Sequence, residues 1–311
     1  MSILLFPSST RAQEAPLECT PGINFAKLLD NVTIGYVDAK VRLGTLYAVC
    51  LPVPTTPSDS PYPYNPDDGE KLTTLIKRAD GTVLTTYVWY AEHISGLWEL
   101  SRYKVLGGDT AVKSLTAGDY LLEFTIAGKP FSRLPFTVTE LPSDDPYQPP
   151  GTRYFLEGAW NSYANLFYQR NDPQSSFRFT VWLQDKQGKE SKRSVPYTAT
   201  IVRTGDGTVV AQDEGTLRLE PRWLKADLLF HPANGDKNAY TKAEEVLRED
   251  GGYSVRLSLD GKPYGTYPFT VKDHTIQMQG HQRREGTDPV DAITDYISGG
   301  RYRSWWITKT P

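Results

Sequence analysis

Apolar and polar residues alternate over several stretches of this chain. Tyr120, Leu122, Phe124 and Ile126 alternate with Leu121, Glu123 and Thr125. Tyr253, Val255, Leu257 and Leu259 alternate with Ser254, Arg256 and Ser258. A period of two is that of a β-strand, whose successive side chains point to opposite faces. Phe177, Phe179, Val181 and Leu183 follow the same rule, which turns Trp182 outward. Asp260-Gly261 predicts a tight hairpin turn, because its central positions take positive φ. Ala127-Gly128 holds the same place earlier in the chain, and Asp80-Gly81 and Asp206-Gly207 mark two further hairpins. Pro130 and Pro263 stand near the start of the returning strands and donate no ladder hydrogen bond, so an edge or a bulge is expected there, with Gly265 a bulge candidate. Strands recurring roughly every 8–12 residues between turn signals predict a β-sandwich. One short helix is expected at Ala243–Leu247.

The pattern occurs twice. GDYLLEFTIAGKPFSRLPFTV at 118–138 aligns without a gap to GGYSVRLSLDGKPYGTYPFTV at 251–271, with nine of 21 positions identical. Upstream, IKRADGTV at 76–83 matches VRTGDGTV at 202–209 in the same order. The spacing is domain-sized, which points to two copies of one domain and not to a short-period solenoid.

A Gly stands two residues before each repeated Tyr, Gly118 before Tyr120 and Gly251 before Tyr253, and Glu249 lies four residues before the second. This resembles the tyrosine corner of immunoglobulin-like domains, in which a Tyr at the start of the sixth strand hydrogen-bonds back to the preceding connection. The resemblance covers the last two strands of each copy. It departs from antibody domains at the core cysteine, where Leu122 and Val255 stand. It implies an all-β protein of two tandem immunoglobulin-like or fibronectin-like antiparallel sandwiches, with structural roles for Tyr120 and Tyr253.

The expected limits follow. Residues 19–140 form the first sandwich and 152–272 the second. Between them LPSDDPYQPPG, 141–151, reads as a stiff, extended joint. Residues 273–311 are an extension without a counterpart in the first copy. There Asp288 before Pro289 is a good helix start, PVDAITDYIS supplies a short helix and Gly299-Gly300 stops it.

Composition narrows the picture. The 311 residues suit two domains. A net charge of −3 with mixed signs is no footprint for nucleic acid. The 19 Tyr, 7 Trp, 25 Gly and 23 Pro favour strands and turns. Cys19 and Cys50 are either two buried thiols or one disulfide formed in an oxidising compartment, and the N-terminus favours the disulfide. Residues 1–18 contain an apolar run, Ile3–Phe6, and a small residue after Thr10-Arg11, like the end of a secretory signal. The run is shorter than the roughly 7–15 residues such signals use and lacks a basic lead, so either the start lies upstream or the likeness is accidental. No stretch approaches the roughly 18 apolar residues of a membrane span.

No motif of catalysis is present: GxSxG, HExxH, a P-loop and CxxC are all missing from the sequence. His93, His231, His274 and His281 show no metal-ligand spacing. Asp67, Asp68 and Glu70, like Asp144 and Asp145, read as solvated loop residues before they read as calcium ligands. No cofactor is expected. Two segments remain as candidate contact surfaces. The Pro-rich loop 54–70 displays Tyr62 and Tyr64. The tail RYRSWWITKTP carries Tyr302, Trp305 and Trp306, which must dock on their own protein, on another chain or on a membrane surface. The expectation is a non-catalytic structural or accessory subunit of a periplasmic or cell-surface assembly, working by protein contact. The alternatives are a carbohydrate-binding or adhesion module and, third, a hydrolase without a recognisable motif.

Overall fold

A computed structural model describes residues 22–23, 25–35, 38–49, 51, 72–94, 97–143, 151–169, 174–186, 193–233, 239–277, 290–291 and 302–310. The protein is nearly all β, and its sheets are antiparallel apart from one two-residue contact.

The first unit contains β1 (Gly22–Ile23), α1 (Phe25–Leu28), β2 (Val32–Ile34), β3 (Val41–Leu43), β4 (Leu46–Val49), β5 (Leu72–Arg78), β6 (Val83–Ile94), β7 (Leu97–Val105), β8 (Gly118–Ile126), β9 (Lys129–Ser143) and β10 (Gly151–Glu157). Its main sheet runs β1-β4-β7-β6-β5-β8-β9-β10, and β2 and β3 form a separate hairpin. β1 at one end approaches β9 near the other, so the sheet curls around its own core. Helix α1 and the β2–β3 hairpin cover the inner face through Phe25, Leu28, Val32 and Leu43.

The second unit contains β11 (Tyr163–Gln169), β12 (Arg178–Leu183), β13 (Arg193–Arg203), β14 (Val209–Leu219), β15 (Leu224–Leu229), β16 (His231–Pro232), α2 (Ala243–Val246), β17 (Gly251–Leu259), β18 (Lys262–Lys272) and β19 (Thr275–Ile276). The extension adds β20 (Val290–Asp291) and β21 (Tyr302–Thr308). Two sheets, β15-β12-β11-β21 and β16-β14-β13-β17-β18-β19, enclose the second core. In the first unit the strand after the Asp-Gly hairpin, β6, also pairs along its length with β7, which merges what would be two sheets into one.

The repeated sequence builds the same local geometry twice. Ala127-Gly128 and Asp260-Gly261 have φ of 50° and 77°, and of 52° and 70°, so both turns are the mirror-image type that suits strand twist. Each returning strand shifts register beside its proline, between Pro130 and Ser132 and between Pro263 and Gly265. The bulge therefore falls on Phe131 and Tyr264. Tyr120 Oη donates to the Thr116 carbonyl at 2.9 Å, and Tyr253 Oη donates to the Glu249 carbonyl at 2.8 Å. Helix α2 sits where Ala243–Leu247 was expected, just before β17.

Of the proline-rich joint, 144–150 lie outside the described residues. Its flanks pair with each other, Gly151 opposite Ser143 and Arg153 opposite Leu141, and β10 stays in the first sheet as far as Glu157. The crossing to the second unit comes at Gly158. The extension then returns across both units. Val290–Asp291, inside the stretch expected to be helical, pair in parallel with Ser132–Arg133 of β9. Strand β21 pairs along its length with β11.

Candidate functional site

The feature that most separates this structure from two independent sandwiches is the seam between them. It is built by strand alternation. On β12, Phe179, Val181 and Leu183 face the second core while Trp182 faces the first. On β21, Trp305 and Ile307 face the second core while Trp306 faces the first. Each strand thus sends one indole out of its own sandwich into a neighbouring apolar cluster. Phe25 meets both, with ring centroids 5.4 Å from Trp182 and 5.5 Å from Trp306, edge to face. Trp160 closes the group 6.4 Å from Phe25 and 5.8 Å from Trp223.

Trp160 reaches its place because of Gly158. A Cβ at Gly158 would lie 2.1 Å from the Trp160 ring, so only glycine lets the indole fold back over the crossing point. Trp223 is fixed from the other side, its Nε1 donating to the Leu156 carbonyl at 2.7 Å. The indole N–H groups of Trp160 and Trp182 are buried without a hydrogen-bond acceptor among the described residues. Each such group costs about 1–3 kcal/mol. The seam is held by ring packing and apolar burial against that cost.

The tail is fastened beyond the tryptophans. Lys309 N–H donates to the Ser162 carbonyl at 2.7 Å, and Thr310 N–H to the Thr266 carbonyl at 2.8 Å. The Lys309 stem lies on Gly265, where a Cβ would stand 2.4 Å from Cδ, and its ammonium lies 4.6 Å above the Tyr264 ring. Burial lowers Lys309 from its ordinary value and pushes the Tyr264 hydroxyl up to about 12.

Two clefts flank the seam. The first, about 440 Å³, has Tyr120, Phe136 and Tyr163 on its walls and Asp119, Glu157 and Asn161 among its polar groups. Asp119 accepts from Thr137 Oγ1 at 2.7 Å, and Glu157 is ion-paired with Lys186. The second, about 460 Å³, lies between the Leu29–Thr33 segment and the β14–β15 connection, and Glu220, Arg222, Trp223, Lys225 and Asp227 line it. Its charges form two pairs, Arg222–Glu220 at 3.0 Å and Lys225–Asp227 at 3.1 Å.

The residues singled out from sequence fall in different places. Trp305 is 4 % exposed and stacks 5.1 Å from Tyr168, and Trp306 is fully buried. The reading of this pair as a surface offered to a partner or a membrane is therefore corrected: β21 completes a sheet, and its alternation buries one indole in each core. Tyr302 opens that strand opposite Gln169. Tyr62, Tyr64, Cys19 and Cys50 lie outside the described residues. Trp182 turns away from its own sandwich as expected, yet it is buried, because the first unit covers it. His93 packs on Trp98, His231 on Tyr240, and His274 Nδ1 lies 3.0 Å from the Leu247 carbonyl, so these three do not converge. Among the described residues no three His, Cys, Asp or Glu gather as a metal site, and no helix is long and apolar enough to cross a membrane. Sequence reasoning missed Phe25, Trp160 and Trp223. The available signal was Trp182, a large apolar ring on a face that a lone sandwich would leave wet.

No protein-family model matches the chain, and no curated protein matches it at a significant level. Among solved structures, a glycosyl hydrolase family 2 member from Bacteroides cellulosilyticus is 12% identical, with a TM-score of 0.22, over 73% of this chain and 28% of that one. A second structure of a glycosyl hydrolase family 2 member from the same species is 11% identical, with a TM-score of 0.22, over 77% of this chain and 29% of that one. The chain thus spans under a third of the length of either protein. A likeness of this size carries no argument about family or activity.

Proposed function

We propose that this protein is a non-catalytic structural or accessory subunit of an exported, cell-surface or membrane-associated assembly, and that it acts by protein contact. The observation that supports this is the double fastening of the two units. The buried Phe25–Trp160–Trp182–Trp306 group joins their cores, and the extension pairs with β9 of one unit and β11 of the other. A protein that fixes the relative placement of two sandwiches is suited to holding other chains at a set distance. The contact arm in this reading is the 54–70 loop with Tyr62 and Tyr64, inserted between Leu51 and Leu72 of the first unit. The N-terminal likeness to a secretory signal supports a periplasmic or surface location, and a Cys19–Cys50 disulfide belongs to the same reading.

The test is purification of the chain from its native envelope under mild detergent, with and without deletion of 54–70. Associated chains that are lost with the loop support the reading. A free monomer in both preparations overturns it. Two reactive thiols without reduction would remove the argument for an oxidising compartment.

A further inference from the structure

The second cleft has a composition that selects a ligand. Trp223 is half-buried on its wall, held by the bond from its Nε1 to the Leu156 carbonyl at 2.7 Å and by Trp160, whose ring lies T-shaped to it at 5.8 Å. A fixed aromatic face offers apolar contact without loss of rotamer freedom on binding. Around it stand two carboxylates, a guanidinium and an ammonium whose charges cancel in pairs at 3.0 and 3.1 Å. Asp227 also accepts from Thr180 Oγ1, which holds that carboxylate in place.

An ionic ligand meets charges that already neutralise one another in pairs, so the cleft offers it no net field. A hydroxyl has no such difficulty. It can accept from the Arg222 guanidinium and donate to a Glu220 or Asp227 carboxylate while both pairs persist. An indole beside paired donors and acceptors matches a molecule with an apolar ring face and a hydroxylated rim. The cleft volume of about 460 Å³ lies within the size range of small-molecule sites.

We infer that the cleft between Leu29–Thr33 and Glu220–Asp227 binds a neutral saccharide, with Trp223 under a sugar ring and Arg222, Glu220 and Asp227 on its hydroxyls. This is a ligand site independent of the protein-contact reading, since it does not involve the 54–70 loop.

Calorimetry on the full chain with cellohexaose, xylohexaose and maltohexaose, each to about 10 mM, tests it. The expected result is binding of at least one of the three, weakened about tenfold or more by Arg222→Ala. Arg222 is exposed, so its substitution leaves the melting temperature unchanged. Trp223→Ala should abolish binding, and Arg222→Ala decides the matter alone if that variant does not fold. No binding by any of the three overturns the inference, as does binding that Arg222→Ala leaves intact. Tighter binding of a charged oligogalacturonate than of all the neutral oligomers also overturns it. Loss of the 54–70 loop should not alter the titration, which separates this site from the contact arm.

Discussion

Trp182 and Trp306, 124 positions apart in sequence, stack with ring centroids 5.3 Å apart and 21° between their planes. Neither ring belongs to the core of the sandwich whose strand carries it. Their stack is where the second unit enters the apolar cluster of the first. Aromatic pairs of this kind add about 0.5–1.5 kcal/mol beyond the area they bury.

Trp306→Ala should therefore cost about 3–5 kcal/mol, the usual loss for a buried tryptophan. It should also separate the melting of the two units, each of which keeps its own core. Calorimetry of the wild type should show one transition and that of the variant two. A variant that still melts in one step, at the wild-type temperature, would show that the seam adds nothing to the coupling. Removing 302–310 should lower the stability of the second unit as well, because β21 supplies Trp305 and Ile307 to its core.

Much of this scaffold is legible in the sequence because it depends on local pattern. The two Asp-Gly hairpins, the two positive-φ turns and helix α2 each follow from a few adjacent residues. So does the hydroxyl contact of Tyr253, which spans four positions. The seam depends on which units face one another, and period two says only that Trp182 and Trp306 leave their own core. Whether the far side holds water or a second protein surface is a tertiary fact. The sequence left the place of the tail open among three for a related reason. Among the described residues Tyr302 to Thr308 has no partner strand nearby in sequence, and its pairing with β11 joins residues about 140 positions apart.

Gly158→Ala tests the crossing point. The backbone there is extended, with φ of −177°, so alanine suffers no conformational strain. Its methyl group would instead overlap the Trp160 ring. Overpacking of this sort costs about 1–3 kcal/mol, and the near-ultraviolet circular dichroism of the tryptophans should change with it. Gly205→Ala is the control, since a Cβ there meets nothing within 4 Å. Equal stability of the two variants would remove the claim that Trp160 is seated by Gly158.

The two tyrosine corners should differ in worth. Tyr253 Oη donates to the Glu249 carbonyl, and the side chain of Arg203 lies beside it. Tyr120 Oη donates to the Thr116 carbonyl and also accepts from the Thr116 backbone N–H at 3.2 Å. Tyr253→Phe should cost about 0.5–1.5 kcal/mol by denaturant unfolding. Tyr120→Phe should cost more, because it leaves a backbone donor and a carbonyl unmatched together. The reverse order would mean that the second contact at Tyr120 is without energetic weight.

Asp213 gives the chain a pH dependence of known sign. Its Oδ2 accepts from Tyr197 Oη at 2.9 Å and from the Leu229 N–H at 3.2 Å, tying β13 and β14 to the end of β15. These bonds favour the carboxylate, yet burial outweighs them and raises Asp213 above its ordinary value. An acid raised on folding binds its proton more tightly in the folded state. The contribution of Asp213 to stability is thus full below the unfolded value near 3.9 and is lost as pH rises through the folded one. Asp213→Asn removes that titration while keeping an acceptor for Tyr197. The variant should compare best with the wild type at neutral pH, and its relative stability should fall as pH is lowered toward about 3.5. The change is about 1.4 kcal/mol for every pH unit that separates the folded and unfolded titrations. Urea unfolding of both proteins between pH 3.5 and pH 7 measures it. A difference that grows in favour of the variant on acidification would mean that Asp213 is lowered, with its hydrogen bonds outweighing burial.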